Sequence, residues 1–275
     1  MFRTTLVAVA IAASQVTLAA SASTPSLLIF SKTEGYRHTR QVHYSTIPHG
    51  IRLLSSIADE KGWPVAATED STIFTNGSLS DYTTLVFLST TGNFLSADEA
   101  DALDAFLLEG GSWLGIHAAG DFGDNMPSWY NTLVGGQFRS HPCVDDTVCS
   151  DAQLARYPPG GNIRPDIITI QNRDHPSTAD LPESHSRTDE WYAYKTNPVH
   201  DPYYTVLASL EETYIDELTP PEPEHMAPLH PISWYSIYKD VARAFYTGMG
   251  HTNESYYEEY FIKHVTGGLE WVTGV

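Results

Sequence analysis

The stretch SWLGIHAAGD, residues 112–121, decides the fold. Five residues that read as an apolar strand lead to His117, and two alanines, a glycine and an aspartate follow. A short apolar run bounded by turn residues is the pattern of a strand buried on both faces. An imidazole at its end, followed by small residues, marks a tight turn at the edge of a sheet. In α/β enzymes such a turn often carries a nucleophile or a base. A histidine there can also simply close the strand through a hydrogen bond.

The sequence on either side favours a sheet. SLLIFS (26–31), PVAATE (64–69) and TTLVFLST (83–90) read as further strands. Between them, Ile47, Ile51, Leu54 and Ile57 recur at helical spacing within 42–62, with Pro48 in the first turn and Gly62 at the end. Ser96 and Glu99 form a capping box that opens a helix through Ala102, Leu103, Phe106 and Leu107, and Gly110-Gly111 closes it. Strand and helix therefore alternate, which predicts an α/β fold with a parallel sheet covered on both faces.

In the second half, DIITIQN (166–172) and YTVLASL (204–210) read as strands. PISWYSI (231–237) and ARAFYTG (242–248) read as a hairpin pair, and 253–272 as a terminal helix. Residues 217–231 form a proline-rich loop. Residues 141–165, with Cys143, Cys149, Pro158-Pro159 and Gly160-Gly161, read as a surface insertion. There is no internal repeat.

Residues 1–22 carry Arg3, an apolar core and a small-residue ending at Ala20-Ser21-Ala22. That is the pattern of a secretory signal peptide, too short for a membrane span. The expectation is a secreted, soluble single domain over 23–275. In an oxidising compartment Cys143 and Cys149 predict one small-loop disulfide. Asn76-Gly-Ser78 and Asn253-Glu-Ser255 are glycosylation sequons. The formal net charge of −19 repels phosphates and argues against a nucleic-acid partner. With 41% apolar and 12% aromatic residues, the chain can nevertheless bury a core.

Polar and glycine-containing clusters trail the predicted strands: SKTEGYRH (31–38), STTG (89–92), HAAGD (117–121), LEETY (210–214) and GMGHT (248–252). In an open parallel sheet, ligands bind beyond the carboxyl ends of the strands. These clusters predict one site assembled from distant segments.

The residues FSKTEGYRH (30–38), Glu69-Asp70, FLSTTG (87–92), GIHAA (115–119), His141-Pro142 and His175-Pro176 carry a resemblance. It continues through DEWY (189–192), HPISW (230–234), RAFYT (243–247) and GHT (250–252). The chain resembles trehalose-utilisation (ThuA-like) domains of the class I glutamine-amidotransferase-like superfamily, over nearly all of its length after the leader. The resemblance implies a flavodoxin-like three-layer sandwich with a mostly parallel central sheet. It also implies sugar metabolism, on disaccharides or their 3-keto derivatives. The leader, the cysteine-bearing insertion and the proline-rich stretch depart from the bacterial pattern and point to extracellular glycans.

Glutamine amidotransferases of this fold place a cysteine where this chain has His117. Neither cysteine lies near such a turn and no Gly-x-Ser-x-Gly occurs, which argues against thiol or serine acyl transfer. The expected catalytic residues are His117, Glu190 and His251, since an imidazole transfers protons near neutral pH and a carboxylate among aromatics can act as acid or base. Asp121 is a second, weaker carboxylate. Arg37, His38, Asp189, Trp191, Tyr192 and His230 are the expected sugar-binding residues. His141, like His230, precedes a proline that could aim its ring. One divalent metal ion, held by His38, His117 and His251, is a further role for the imidazoles; no nucleotide cofactor is expected.

Two functions follow. One is a secreted enzyme that cleaves or isomerises a glycoside by acid–base or metal-assisted proton transfer. The other is a non-catalytic glycan-binding module, for which 16 Tyr and 6 Trp would supply stacking surfaces.

Overall fold

The computed structural model describes residues 24–37, 46–144, 149–219 and 224–275. The leader and His38 lie outside them. The elements in the first half are β1 (Leu27–Phe30), α1 (Thr46–Lys61), β2 (Val65–Thr68), β3 (Thr84–Leu88), β4 (Thr91–Gly92), α2 (Ala97–Leu108), β5 (Ser112–Ile116), β6 (Asp121–Phe122), α3 (Ser128–Val134) and β7 (Phe138–Ser140). There follow α4 (Asp151–Arg156), β8 (Ile163–Ile170), α5 (Pro176–Ala179), β9 (Ser184–Glu190), β10 (Ala193–Tyr194), β11 (Thr205–Leu210), β12 (His230–Tyr238), β13 (Ala242–Thr247) and α6 (Glu259–Thr273).

Nine strands form one sheet in the order β2-β1-β3-β5-β13-β12-β11-β8-β9. From β2 to β13 the neighbours are parallel. From β13 to β9 each neighbour is antiparallel. This is the expected α/β sandwich, with a parallel half and an antiparallel half. Two reversals bring β11 back to the direction of β13, and two more bring β9 back. The carboxyl ends of β1, β3, β5, β13, β11 and β9 therefore share one edge.

Alternation along the strands builds two cores. Leu27 and Ile29 of β1 and Leu114 and Ile116 of β5 pack with Leu54 and Ile57 of α1 and with Phe261, Val265 and Leu269 of α6. Leu28 and Phe30 of β1 and Trp113 of β5 pack with Leu103 and Leu107 of α2 and with Tyr130 and Leu133 of α3. The predicted capping box of α2 is formed, Ser96 and Glu99 each bonding the other's backbone.

Three features differ from the sequence reading. Strand β9, SHSRTDE, was not expected; it is a polar edge strand that pairs only with β8. The terminal helix starts at Glu259 instead of residue 253. Buried Ser255 bonds Thr252 and Asp189, which holds 254–257 in a separate 3-10 turn. The cysteine-bearing segment is more than a surface loop. It includes α4, opened by a Ser150–Gln153 capping box, and buried Arg164, which bonds the carbonyls of Gly161 and Tyr214.

Cys143 and Cys149 are bridged, with Cα atoms 5.1 Å apart. Among the described residues, no helix is long and apolar enough to cross a membrane.

Candidate active site

At the end of β5 the chain turns at once. His117 takes φ +51°, a conformation that side-chain-bearing residues rarely adopt and that costs about 1–3 kcal/mol. The turn is pinned from outside: Tyr246 donates its hydroxyl to the His117 carbonyl at 2.8 Å and Tyr130 donates to that of Ala119 at 3.3 Å. This accounts for the small residues. Ala118 and Ala119 are fully buried, and a Cβ on Gly120 would lie 2.6 Å from the Tyr246 hydroxyl.

The segment after β13 folds over the same edge. Gly250 takes φ +110°, and a Cβ there would press on Ile116 at 3.0 Å. Buried Asp189, at the end of β9, accepts hydrogen bonds from the backbone N–H groups of Gly250 (2.9 Å), His251 (3.1 Å) and Thr252 (3.3 Å). Its carboxylate thereby fixes where the His251 ring points.

The next residue, Glu190, joins the two imidazoles. His117 Nε2 lies 3.0 Å from His251 Nδ1 and 3.3 Å from Glu190 Oε2. His251 Nδ1 lies 3.0 Å from the same oxygen. The other carboxylate oxygen, Oε1, accepts from Asn162 at 2.5 Å and lies 3.3 Å from His141 Nε2. His117 Nδ1 faces the Gly248 carbonyl at 2.9 Å. Because a carbonyl only accepts, that nitrogen carries hydrogen, and Nε2 is the atom turned to the group.

Charge inside the group follows from this packing. Burial opposes protonation of His117, but the hydrogen bond and field of Glu190, with the field of Asp189, outweigh it and raise its pKa. Burial likewise opposes ionisation of Glu190, yet the fields of His141 and His251 and the bonds to His117 and His251 hold it well below the usual carboxylate range. Asp121 goes the other way: burial raises its pKa, against the pull of His117. The His117, Glu190 and His251 side chains could hold a metal ion.

The structure thus brings together His117, Glu190 and His251, with Asp189 supporting them. Tyr192 also belongs, its ring centre 4.4 Å from that of His117 and 4.4 Å from that of Phe138. His230 lies one layer back; Nε2 donates to the Tyr192 carbonyl at 2.8 Å and Nδ1 lies 2.9 Å from Glu212. Trp191 points into the core, its ring N–H donating to the Arg164 carbonyl. Arg37 lies at the surface end of the β1 cluster, in a two-pronged pair with Glu69. His38 is outside the described residues.

Sequence reasoning offered His141 as a candidate imidazole aimed by its proline and gave Asn162 no role. His141 was visible only as a histidine before proline. Asn162 gave no signal, because its part depends on the insertion folding back. Ile163, Thr188 and Thr252, each next in sequence to Asn162, Asp189 or His251, help to line a cavity of about 390 Å³ that also meets Tyr157, Pro165 and Glu254 but not the three side chains of the group.

Fold and site define an α/β sandwich protein with a buried imidazole–carboxylate centre at the carboxyl edge of its sheet. The chain belongs to the ThuA family, described as trehalose utilisation, whose model matches residues 26–272. Solved structures share the fold. A ThuA-like protein from Bacteroides uniformis ATCC 8492 superposes with a TM-score of 0.68 at 22% identity, over 91% of this chain and 93% of that one. One from Parabacteroides merdae ATCC 43184 gives 0.63 at 16%, over 91% and 90%. A β-galactosidase from Bacillus circulans sp. alkalophilus gives 0.54 at 11%, over 91% of this chain but only 31% of that larger one. No curated protein matches the chain in sequence.

Proposed function

We propose that this chain is a secreted carbohydrate-active enzyme that cleaves or isomerises a glycoside, with 3-keto-glycosides as candidate substrates, by proton transfer at the His117–Glu190–His251 centre. One observation carries the reading. Three buried titratable atoms from three distant segments meet within 3.3 Å at the edge where α/β sheets bind ligands. Buried, mutually perturbed acid–base groups of this kind gather at catalytic sites and are what proton transfer needs.

The family's description supports a sugar substrate. The fold also occurs as part of a β-galactosidase. Within the centre, Glu190 is held ionised while burial favours the protonated form of Asp121. Two carboxyl groups pushed in opposite directions are the pattern of a base and an acid. Elimination beside a keto group needs a base, an acid and a carbonyl polariser. Glu190 and His117 supply the first two in the metal-free centre; a divalent metal ion held by the same side chains would take up their lone pairs and supply the third instead. Of the packed Tyr192–Phe138 pair, Tyr192 is buried and the half-buried Phe138 ring is the one left to meet a sugar face. Secretion rests on the leader pattern and agrees with the disulfide. Exposed Asn76 is accessible to a glycan.

The test is a substrate panel. The protein is incubated with trehalose, other disaccharides and their 3-keto forms, while sugar release and the ultraviolet absorbance of unsaturated product are followed. The expected result is turnover that His117→Gln abolishes without unfolding the chain. Absence of turnover across the panel, or equal turnover by His117→Gln, overturns the reading and leaves the glycan-binding module.

A further inference from the structure

The three atoms of the centre pose a problem that protons alone solve poorly. His117 Nδ1 carries hydrogen because it faces the Gly248 carbonyl. In its neutral form His117 therefore presents a lone pair at Nε2. Glu190 Oε2 presents lone pairs as well. If His251 Nδ1 carries hydrogen, it can donate to both neighbours, but the 3.3 Å edge between His117 Nε2 and Glu190 Oε2 then holds lone pairs on both sides. Moving that proton to His117 leaves the 3.0 Å edge between His251 and Glu190 in the same state. Any arrangement with one proton leaves one edge of the triangle without hydrogen. A cation bound by the three atoms would take up all three lone pairs in place of the missing hydrogen.

The dimensions fit a particular kind of cation. Donors at about 2.0–2.1 Å from a transition ion lie roughly 3.0 Å apart at right angles and roughly 3.3–3.4 Å apart at the tetrahedral angle. The three edges here are 3.0, 3.0 and 3.3 Å. Two imidazoles and one carboxylate are a borderline donor set, suited to divalent first-row ions and unlike the all-oxygen shells of calcium or magnesium.

The surroundings supply what ligands of such an ion need. The Gly248 carbonyl fixes the His117 tautomer, Asp189 fixes the His251 backbone, and Asn162 and His141 hold the outer oxygen of Glu190. Outer partners of this sort orient ligands and raise their basicity. The disulfide belongs to this outer layer: Gly161, next to Asn162, lies so close to both sulfurs that a Cβ would meet them at 2.7 and 2.9 Å.

We propose that His117, His251 and Glu190 form a three-ligand site for one divalent first-row transition ion, zinc being the probe of choice, with the remaining coordination positions taken by water or a saccharide oxygen. The site rests on the assignment of this centre as the functional one, and its role would be to polarise a substrate oxygen.

The full chain is stripped with chelator, and zinc binding is measured by calorimetry with no sugar present. One ion per chain is expected. His117→Gln, His251→Gln and Glu190→Gln should each weaken it by more than the roughly 10–100-fold that loss of an outer partner costs. Asn162→Ala should fall within that range, and His200→Gln, at an exposed histidine, should change nothing. Equal affinity in wild type and His117→Gln overturns the proposal. Where a variant unfolds, zinc-edge X-ray absorption of the wild type decides: two imidazoles plus oxygen at about 2.0–2.1 Å support the site, and an all-oxygen shell overturns it. The two readings fail separately. Full sugar turnover by the stripped chain removes the ion and keeps proton transfer. One bound ion without sugar turnover keeps the ion and removes the enzyme.

Discussion

His117 and His264 are both wholly buried, yet their environments push them in opposite directions. His117 sits at the carboxyl edge with His251, and Glu190 between them raises its pKa against burial. His264 sits on α6, its Nδ1 donating to the Ser177 carbonyl and its Nε2 bonded to the Ser233 hydroxyl. No carboxylate bond offsets the burial there, and its pKa falls to about 4. Its neighbour His175, stacked on Tyr235 with ring centres 4.8 Å apart, falls to about 3 through burial and the field of His264. Burial alone therefore does not decide what a histidine does in this molecule. One anionic partner separates an imidazole that can carry charge from one that serves as neutral packing.

The comparison breaks most visibly in turnover. Glu190→Gln removes the charge and keeps the shape, and it should lower the rate on a responsive glycoside by about 10²–10⁴-fold. His264→Gln should leave that rate within a factor of two or so of wild type, a change too small for a general acid or base. Parallel assays on one substrate decide this; a core variant as damaging as the site variant would erase the distinction.

Stability tests the core histidine by itself. His264→Ala leaves the Ser177 carbonyl and the Ser233 hydroxyl without their partner and should cost roughly 1–3 kcal/mol. At roughly 2–4 °C per kcal/mol for a chain of this size, melting curves resolve the loss.

Acid titration sharpens the contrast further. The folded pKa of His264 is about 4 and that of His175 about 3, both below the ordinary 6.5. The unfolded chain therefore takes up these protons first. Their contribution to stability is complete above pH 6.5 and is lost as pH falls toward 4 and then 3. Between pH 6.5 and about 5, above the carboxylate range, each histidine contributes a slope of at most about 1.4 kcal/mol per pH unit. Urea midpoints across that window should fall with pH in the wild type and fall less steeply in His264→Gln. A His264→Gln profile as steep as the wild type's would show that burial does not hold His264 neutral in the folded state.

The smallest effect belongs to Arg37. Its pair with Glu69 is largely exposed, so Arg37→Ala should change stability by about 0–1 kcal/mol. With its guanidinium committed to Glu69, KM should move little; a large rise in KM would restore Arg37 to the sugar-binding group.

Much of this was legible in the sequence, for physical reasons that also explain the misses. Strands β1, β3 and β5 are buried on both faces and so had to be continuous apolar runs. The carboxyl ends of β5 and β13 pointed to His117 and His251. Glu190 was legible as a carboxylate among aromatics, although the strand that delivers it was not. Strand β9 lies at the sheet edge, pairs on one side only, and so carries a polar sequence without a clear period. His141 and Asn162 reach Glu190 only because the disulfide-closed insertion returns to the sheet edge, a long-range fact with no local mark. The aromatic content was ambiguous. Much of it fills the core, with Trp113, Trp191, Trp234 and Tyr130 almost wholly buried, while Tyr192 faces the centre.

The central claim is that the edge histidines and Glu190 act as one unit, and a double-mutant cycle on turnover tests it most directly. His117→Gln, Glu190→Gln and the double variant are assayed on one glycoside under one set of conditions. Groups that act as a unit are strongly non-additive. The account predicts that the double variant is no slower than the worse single variant, within about threefold. If the two rate losses multiply instead, His117 and Glu190 act independently and the centre described here is not one site.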